Sequence, residues 1–222
     1  MTTAMMISPT WCLGAFLAGS IPFGLLLVRL AGKGDVRSVG SGNIGATNVL
    51  RAGGKGLAIA TLVLDAAKGF LPVYLARLAG LGPEALAWVV LAAVLGHVFP
   101  PWLRFRGGKG VATALGTVLG YHPAMVLPAF AVFLATLLVS RYVSLGSILA
   151  ALTLFLTALG LAGGWAILPM TAGLPHWPAL LAWALLVGLV VVKHRANLDR
   201  LFRGTENRFW GAKPQAKAVE ND

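Results

Sequence analysis

Acidic side chains are the scarcest chemistry here: 7 Asp and Glu stand against 18 Lys and Arg in 222 residues, a formal net charge of +11. Charge of either sign is rare, at 11% of residues against about 25% in soluble domains, while 58% are hydrophobic. That balance excludes a soluble domain and points to a polytopic membrane protein. In such a protein the positive excess reads as basic loops held at the cytoplasmic face, so no nucleic-acid partner is expected. Cysteine is nearly absent, and Cys12 alone excludes an intramolecular disulfide, a thiolate metal cluster and a redox pair. No His, Cys and carboxylate cluster offers metal ligands, so neither a metal nor a cofactor is expected. Residues 1–28 carry no charged side chain and lack the basic start of a signal peptide, so the first apolar run is expected to stay as a membrane span.

What fills the chain is a series of apolar runs. Spans are expected at 11–30, 56–78, 85–103, 124–140, from the turn 141–147 to about 163, and at 179–192. Pro22 is tolerable in the first if a neighbour satisfies the freed backbone. Asp65 and Lys68, at i and i+3, are placed to pair on one face of the second. Residues 111–120 form a helix of only about 15 Å, half a hydrocarbon core. The loop 164–178 holds no Lys or Arg, and its Trp165 and Trp177 are expected as interface anchors. Placing 29–55, 104–109, 141 and 193–217 on one side gathers 16 of the 18 cations there, which makes that side cytoplasmic. The amino terminus is then outside and the carboxyl terminus inside. The expected fold is all-α: one membrane domain over residues 1–222, a bundle of seven transmembrane helices if 111–120 crosses, or five plus a re-entrant hairpin.

Three polar breaks interrupt this pattern. Residues 40–51, GSGNIGATNVLR, combine glycines that let a ligand approach the backbone with neutral donors and the forked charge of Arg51. Gly40, Gly42 and Gly45 spell G-x-G-x-x-G with Asp65 about twenty residues on, but a membrane span precedes them where a dinucleotide fold needs a strand. Residues 104–110, RFRGGKG, lack the first glycine and the closing Ser or Thr of a nucleotide P-loop. The underlying physics survives both exclusions, because glycine-rich turns at helix starts present N–H groups to phosphate. In the third break, 193–208, His194 and Asn197 lie one helical turn apart. His194 and Asp199 also spell H-x4-D, yet residues five apart are rotated by about 140° on a helix and do not pair. A membrane-surface basic helix is the plainer reading of this segment.

GSGNIGATNVLR, GHVFPPWLRFRGGKGVAT and KHRANLDRLFRGTENR, in this order and spacing, resemble the three signature motifs of the bacterial acyl-phosphate:glycerol-3-phosphate acyltransferase family, PlsY. Residues 64–69 and 140–147 resemble it too, while Asp199 departs from its pattern. The resemblance implies transfer of a long-chain acyl group from membrane-embedded acyl phosphate to the sn-1 hydroxyl of cytosolic glycerol 3-phosphate, at the inner membrane of a bacterium. It implies a glycine-rich phosphate site at Ser41, Gly42, Asn43, Thr47 and Asn48, completed by Gly107, Gly108 and Lys109. Arg51 would bind glycerol 3-phosphate. Ser147, His194 and Asn197 would line the same pocket, with Asn197 a donor to the developing oxyanion, and Glu206 would orient a nearby cation. An anhydride donor needs no enzyme nucleophile, so direct attack is expected. The competing readings are a transporter of phosphate or a phosphorylated metabolite, and a non-catalytic scaffold with a basic lipid-binding face.

Overall fold

The computed structural model describes residues 9–164 and 177–210, and every regular element among them is helical. Five apolar segments are long enough to cross a bilayer: Pro9–Leu30, Lys55–Leu78, Pro83–Leu103, Pro123–Ser140 and Val143–Ala162. The first is broken. Helix α1 (Pro9–Gly19) and α2 (Phe23–Leu30) flank Pro22, which lacks a backbone N–H, and Lys68 Nζ donates to the Ile21 carbonyl in the break at 2.6 Å. Helix α3 (Ala46–Gly53) is short and leads through Gly54 into α4 (Lys55–Leu78), whose 24 residues rise about 36 Å. Then come α5 (Pro83–Val98), α6 (Val111–Tyr121), α7 (Val126–Ser140), α8 (Val143–Ala162), α9 (Leu180–Lys193) and α10 (Arg195–Phe202). Helices α9 and α10 meet at 52° with His194 at the bend, and together make a sixth candidate span. Trp165 and the tail from 211 lie outside the described residues; Trp177 is exposed.

Side chains such as Leu13, Ile59, Val63, Leu127, Leu138, Leu156 and Leu181 are exposed on these helices, the apolar belt that a lipid-facing surface needs. Inside the bundle, where lipid and protein are equally apolar, helices associate through close packing of small residues. A Cβ added at Gly19 would strike the Ala93 carbonyl, and one at Gly96 the Phe16 carbonyl, so α1 and α5 meet backbone to backbone. Helices α4 and α6 do the same: Gly69 lies against Thr113 and Gly116 against Ala66.

That second seam fixes the position of α6. It starts beside the middle of α4 and runs in the same direction, ending where Arg77 donates to the Tyr121 carbonyl at 3.2 Å. At 11 residues it is about 16 Å long and covers only the second half of α4. The loop 104–110 therefore ends deep beside α4. The first glycine-rich loop is also sunk, though less deeply, because Ile44 packs against Gly24, and Leu25, Val28, Val36, Val49 and Ala58 form a small core beneath it.

Candidate active site

One cavity of about 470 Å³ receives residues from all three polar breaks. Ser41, Asn43, Thr47, Arg51, Lys109, His194, Asn197 and Glu206 line it, as do Ser144 and Ser147 of α8. Of the sequence-based candidates, Gly42, Gly107 and Gly108 do not. Gly107 and Gly108 spend their N–H groups on the Val98 and His97 carbonyls, at 3.1 Å each, and pack too closely on α5 to carry a side chain. They pin the loop rather than cradle an anion. Asn48 borders the cavity, but its side chain is spent on the loop: Nδ2 donates to Val36, Val39 and Asn43 carbonyls and Oδ1 accepts from Ser41 N, all at 2.9–3.0 Å.

Three helix starts open on this space. Gly45, Ala46 and Thr47 begin α3, Gly110 to Ala112 begin α6, and Val143 and Ser144 begin α8; all line the cavity, and none of the three helices has a side-chain cap. Uncapped helix starts present free N–H groups and a partial positive charge, the arrangement that binds phosphate. Arg51, Lys109, Arg200 and Arg208 add full charges.

The carboxylate at the mouth is committed. Glu206 Oε1 accepts from Asn197 Nδ2 at 2.6 Å and Ser144 Oγ at 2.8 Å, and Oε2 accepts from Arg200 Nε at 2.7 Å. Burial pushes its pKa up, but those hydrogen bonds and the Arg200 charge outweigh burial and hold it below the usual range. Asn197 Oδ1 in turn accepts from Lys109 Nζ, so Glu206 sets the orientation of the amide that meets Lys109. His194 Nδ1 lies 2.8 Å from the Val190 carbonyl. Since a carbonyl only accepts, Nδ1 carries hydrogen and Nε2 is left to face a ligand. Asp199 pairs with Arg203 at 3.0 Å on the exposed side of α10, so it does not orient His194.

Below this polar mouth the cavity is apolar, walled by Leu115 and Val118, Phe130 and Phe133, Ala150 and Leu154, and Val187 and Val190. The family model for glycerol-3-phosphate acyltransferase matches residues 10–204. The chain belongs to this family. Proteins called glycerol-3-phosphate acyltransferase in Trichlorobacter lovleyi and Pseudomonas aeruginosa are 49% and 50% identical to it, over 90% and 88% of this chain and 96% of each relative. Its fold is also similar to PlsY, an integral membrane glycerol 3-phosphate acyltransferase: the glycerol 3-phosphate form superposes with a TM-score of 0.80 and 40% identity, over 91% of this chain and 95% of that one. The lysophosphatidic acid form gives 0.77 and 39% over the same shares.

Within this acyltransferase, sequence reasoning missed Ser144, Arg200, Asp65 and His97 as cavity residues. Ser144 was legible as part of the turn 141–147, three residues and so nearly one turn before Ser147. Asp65 does pair with Lys68, at 2.6 Å, both nearly fully buried. What the pattern could not give is His97 across the helix interface, its Nδ1 3.8 Å from Asp65 Oδ1.

Proposed function

We propose that this acyltransferase uses acyl phosphate as donor, transferring a long-chain acyl group to the sn-1 hydroxyl of glycerol 3-phosphate to give lysophosphatidic acid and inorganic phosphate. One observation carries the reading: a single cavity joins a mouth of four cations and three uncapped helix starts to an apolar groove. Two phosphates held together repel, and a mouth rich in cations with its carboxylate engaged offsets that repulsion. The groove takes the acyl chain, which leaves the anhydride carbonyl at the junction near Lys109.

The hydroxyl oxygen attacks the acyl carbonyl, the carbonyl carbon–oxygen bond to phosphate breaks, and the proton leaves with the departing phosphate. Lys109 and the α6 start hold the donor phosphate with Ser41, Asn43 and Thr47, Arg51 holds glycerol 3-phosphate, and Asn197 donates to the oxyanion. Ser147 Oγ donates to the Val143 carbonyl at 2.8 Å, and no base activates it as a nucleophile, which favours direct transfer without an acyl-enzyme. His194, oriented by a carbonyl rather than a carboxylate, serves as a hydrogen-bonding group and not as the base.

The proposed topology has the amino terminus outside, the carboxyl terminus in the cytoplasm of a bacterial cell, the cavity mouth facing the cytoplasm and seven crossings of the inner membrane. The parallel course of α6 and the second half of α4 supports the count, since the loop 104–110 then covers the other half of that crossing.

Purified protein with palmitoyl phosphate and glycerol 3-phosphate should form lysophosphatidate, and acyl-CoA should not replace the donor. A folded preparation that makes product only from acyl-CoA refutes the donor assignment. His194→Gln should keep measurable turnover; complete loss with substrate affinity intact would make His194 the base.

A further inference from the structure

The far end of the groove is closed by some of the bulkiest buried side chains in the described residues. Val118 of α6, Val126 of α7, Leu154 of α8 and Leu186 of α9 line the cavity there, each less than a tenth exposed. Behind them, off the cavity wall, Tyr121 and Trp183 meet edge to face with ring centroids 5.1 Å apart, and Met125 fills the turn beside them. Trp183 and Tyr121 are the two largest fully buried side chains, and Met125 is 0% exposed. Their placement follows from helical spacing. Tyr121 is three residues after Val118 and Trp183 three before Leu186, so each aromatic stands about one turn beyond a lining residue on the same face. The middle of the groove is built differently, from Ala114, Ala129, Ala150 and Ala151, and its rim residues Leu62 and Phe130 are 46% and 50% exposed. The groove is thus roomy along its length, open at the rim and blocked at the end.

We propose that the Tyr121–Trp183 pair, backed by Met125, is the stop that sets the longest aliphatic acyl chain the groove accepts. The proposal rests on the acyl-phosphate reading of the same cavity. Up to the stop each added methylene passes from lipid to an equally apolar groove wall, so kcat/KM changes little with length. Once the terminal methyl meets Val118, Val126, Leu154 and Leu186, a further methylene must displace an edge-to-face pair locked between α6 and α9, or turn out past Phe130 into lipid. From there kcat/KM falls. Specificity for chain length is therefore a break in slope rather than a smooth trend.

The experiment measures kcat/KM for saturated acyl phosphates of increasing length with the purified full chain. The natural protein should show a level profile and then a downward break. Trp183→Leu should move that break to longer chains by about two to four carbons, because the lining side chains Val118 and Leu186 can then shift back into the vacated volume. Its kcat/KM for the shortest donor should stay within about threefold of the parent, since Trp183 touches neither phosphate site. Tyr121→Leu serves the same purpose from the other helix, and Ala151→Phe, which narrows the groove itself, should move the break to shorter chains. A profile without a break in the parent, or breaks that stay in place in active Trp183→Leu and Tyr121→Leu proteins, overturns the proposal. Absence of product at every chain length overturns the acyl-phosphate reading, and the stop with it.

Discussion

Lys109 is the residue whose charge state decides the most. In the proposed reaction its ammonium meets a phosphate that becomes a dianion only above about pH 6, the second ionisation of phosphate esters, so kcat/KM is expected to fall on the acid side of that value. Lys109→Arg keeps the charge and should retain part of the activity, and Lys109→Met should lower kcat/KM by about 10²–10³-fold, both read from steady-state rates. Arg51→Lys trades a fork for a point charge and should raise KM for glycerol 3-phosphate by about tenfold or more with kcat held. Chemical type was legible here and local duty was not. Arg51 and Lys109 reach the cavity as their chemistry suggests, whereas Asn48, the same residue type as Asn43 five positions away, is consumed by three loop carbonyls.

At the scale of elements, the site depends on how closely helices approach. Helix α6 can bring its start beside the middle of α4 only because Gly69, Gly116 and Gly120 leave no side chains between the two backbones. Gly116→Ala should cost about 1–3 kcal/mol and Gly116→Val more, measured by thermal unfolding in detergent, with lost activity following lost fold. Asp65→Asn leaves the buried Lys68 ammonium without its partner and should destabilise the bundle by about 3–5 kcal/mol, while replacing Lys68 with Met in the same chain should recover part of that loss. Apolar runs made most of the helices legible, and the i, i+3 spacing made this ion pair legible as well. Pro22 was legible as a point where the backbone needs a neighbour, but not Lys68 as the group that reaches the Ile21 carbonyl, nor the bend at His194 with Glu206 bonded to Asn197 beyond it, because these partners come from elsewhere in the chain.

Over the whole molecule, the half-length helix and the sunken loops are one design. The proposed reaction, which joins a lipid-soluble chain to a water-soluble phosphate, calls for a phosphate site below the membrane surface, near the reacting carbonyl of a membrane-held donor. Helix α4 gives the scale: loop 104–110 ends beside its middle, and Ile44 packs near Thr61, about six residues or 9 Å along it. Hydropathy could not place loop 104–110 beside the middle of α4, since a basic glycine-rich segment among apolar helices is stable only where it lines a polar cavity. Seven crossings and five differ in where the turn at 122–125 lies. If α6 completes a crossing, the turn at 122–125 lies on the outer face with the α4–α5 connection; if 111–140 is a re-entrant hairpin, that turn stays within the membrane. In a Cys12→Ala background, single cysteines at the exposed positions Glu84, Pro123 and Arg203 separate the two. A membrane-impermeant maleimide added to intact cells should label Glu84→Cys and Pro123→Cys, and Arg203→Cys only after permeabilisation. Labelling of Glu84→Cys with Pro123→Cys protected both before and after permeabilisation would establish the hairpin and five crossings.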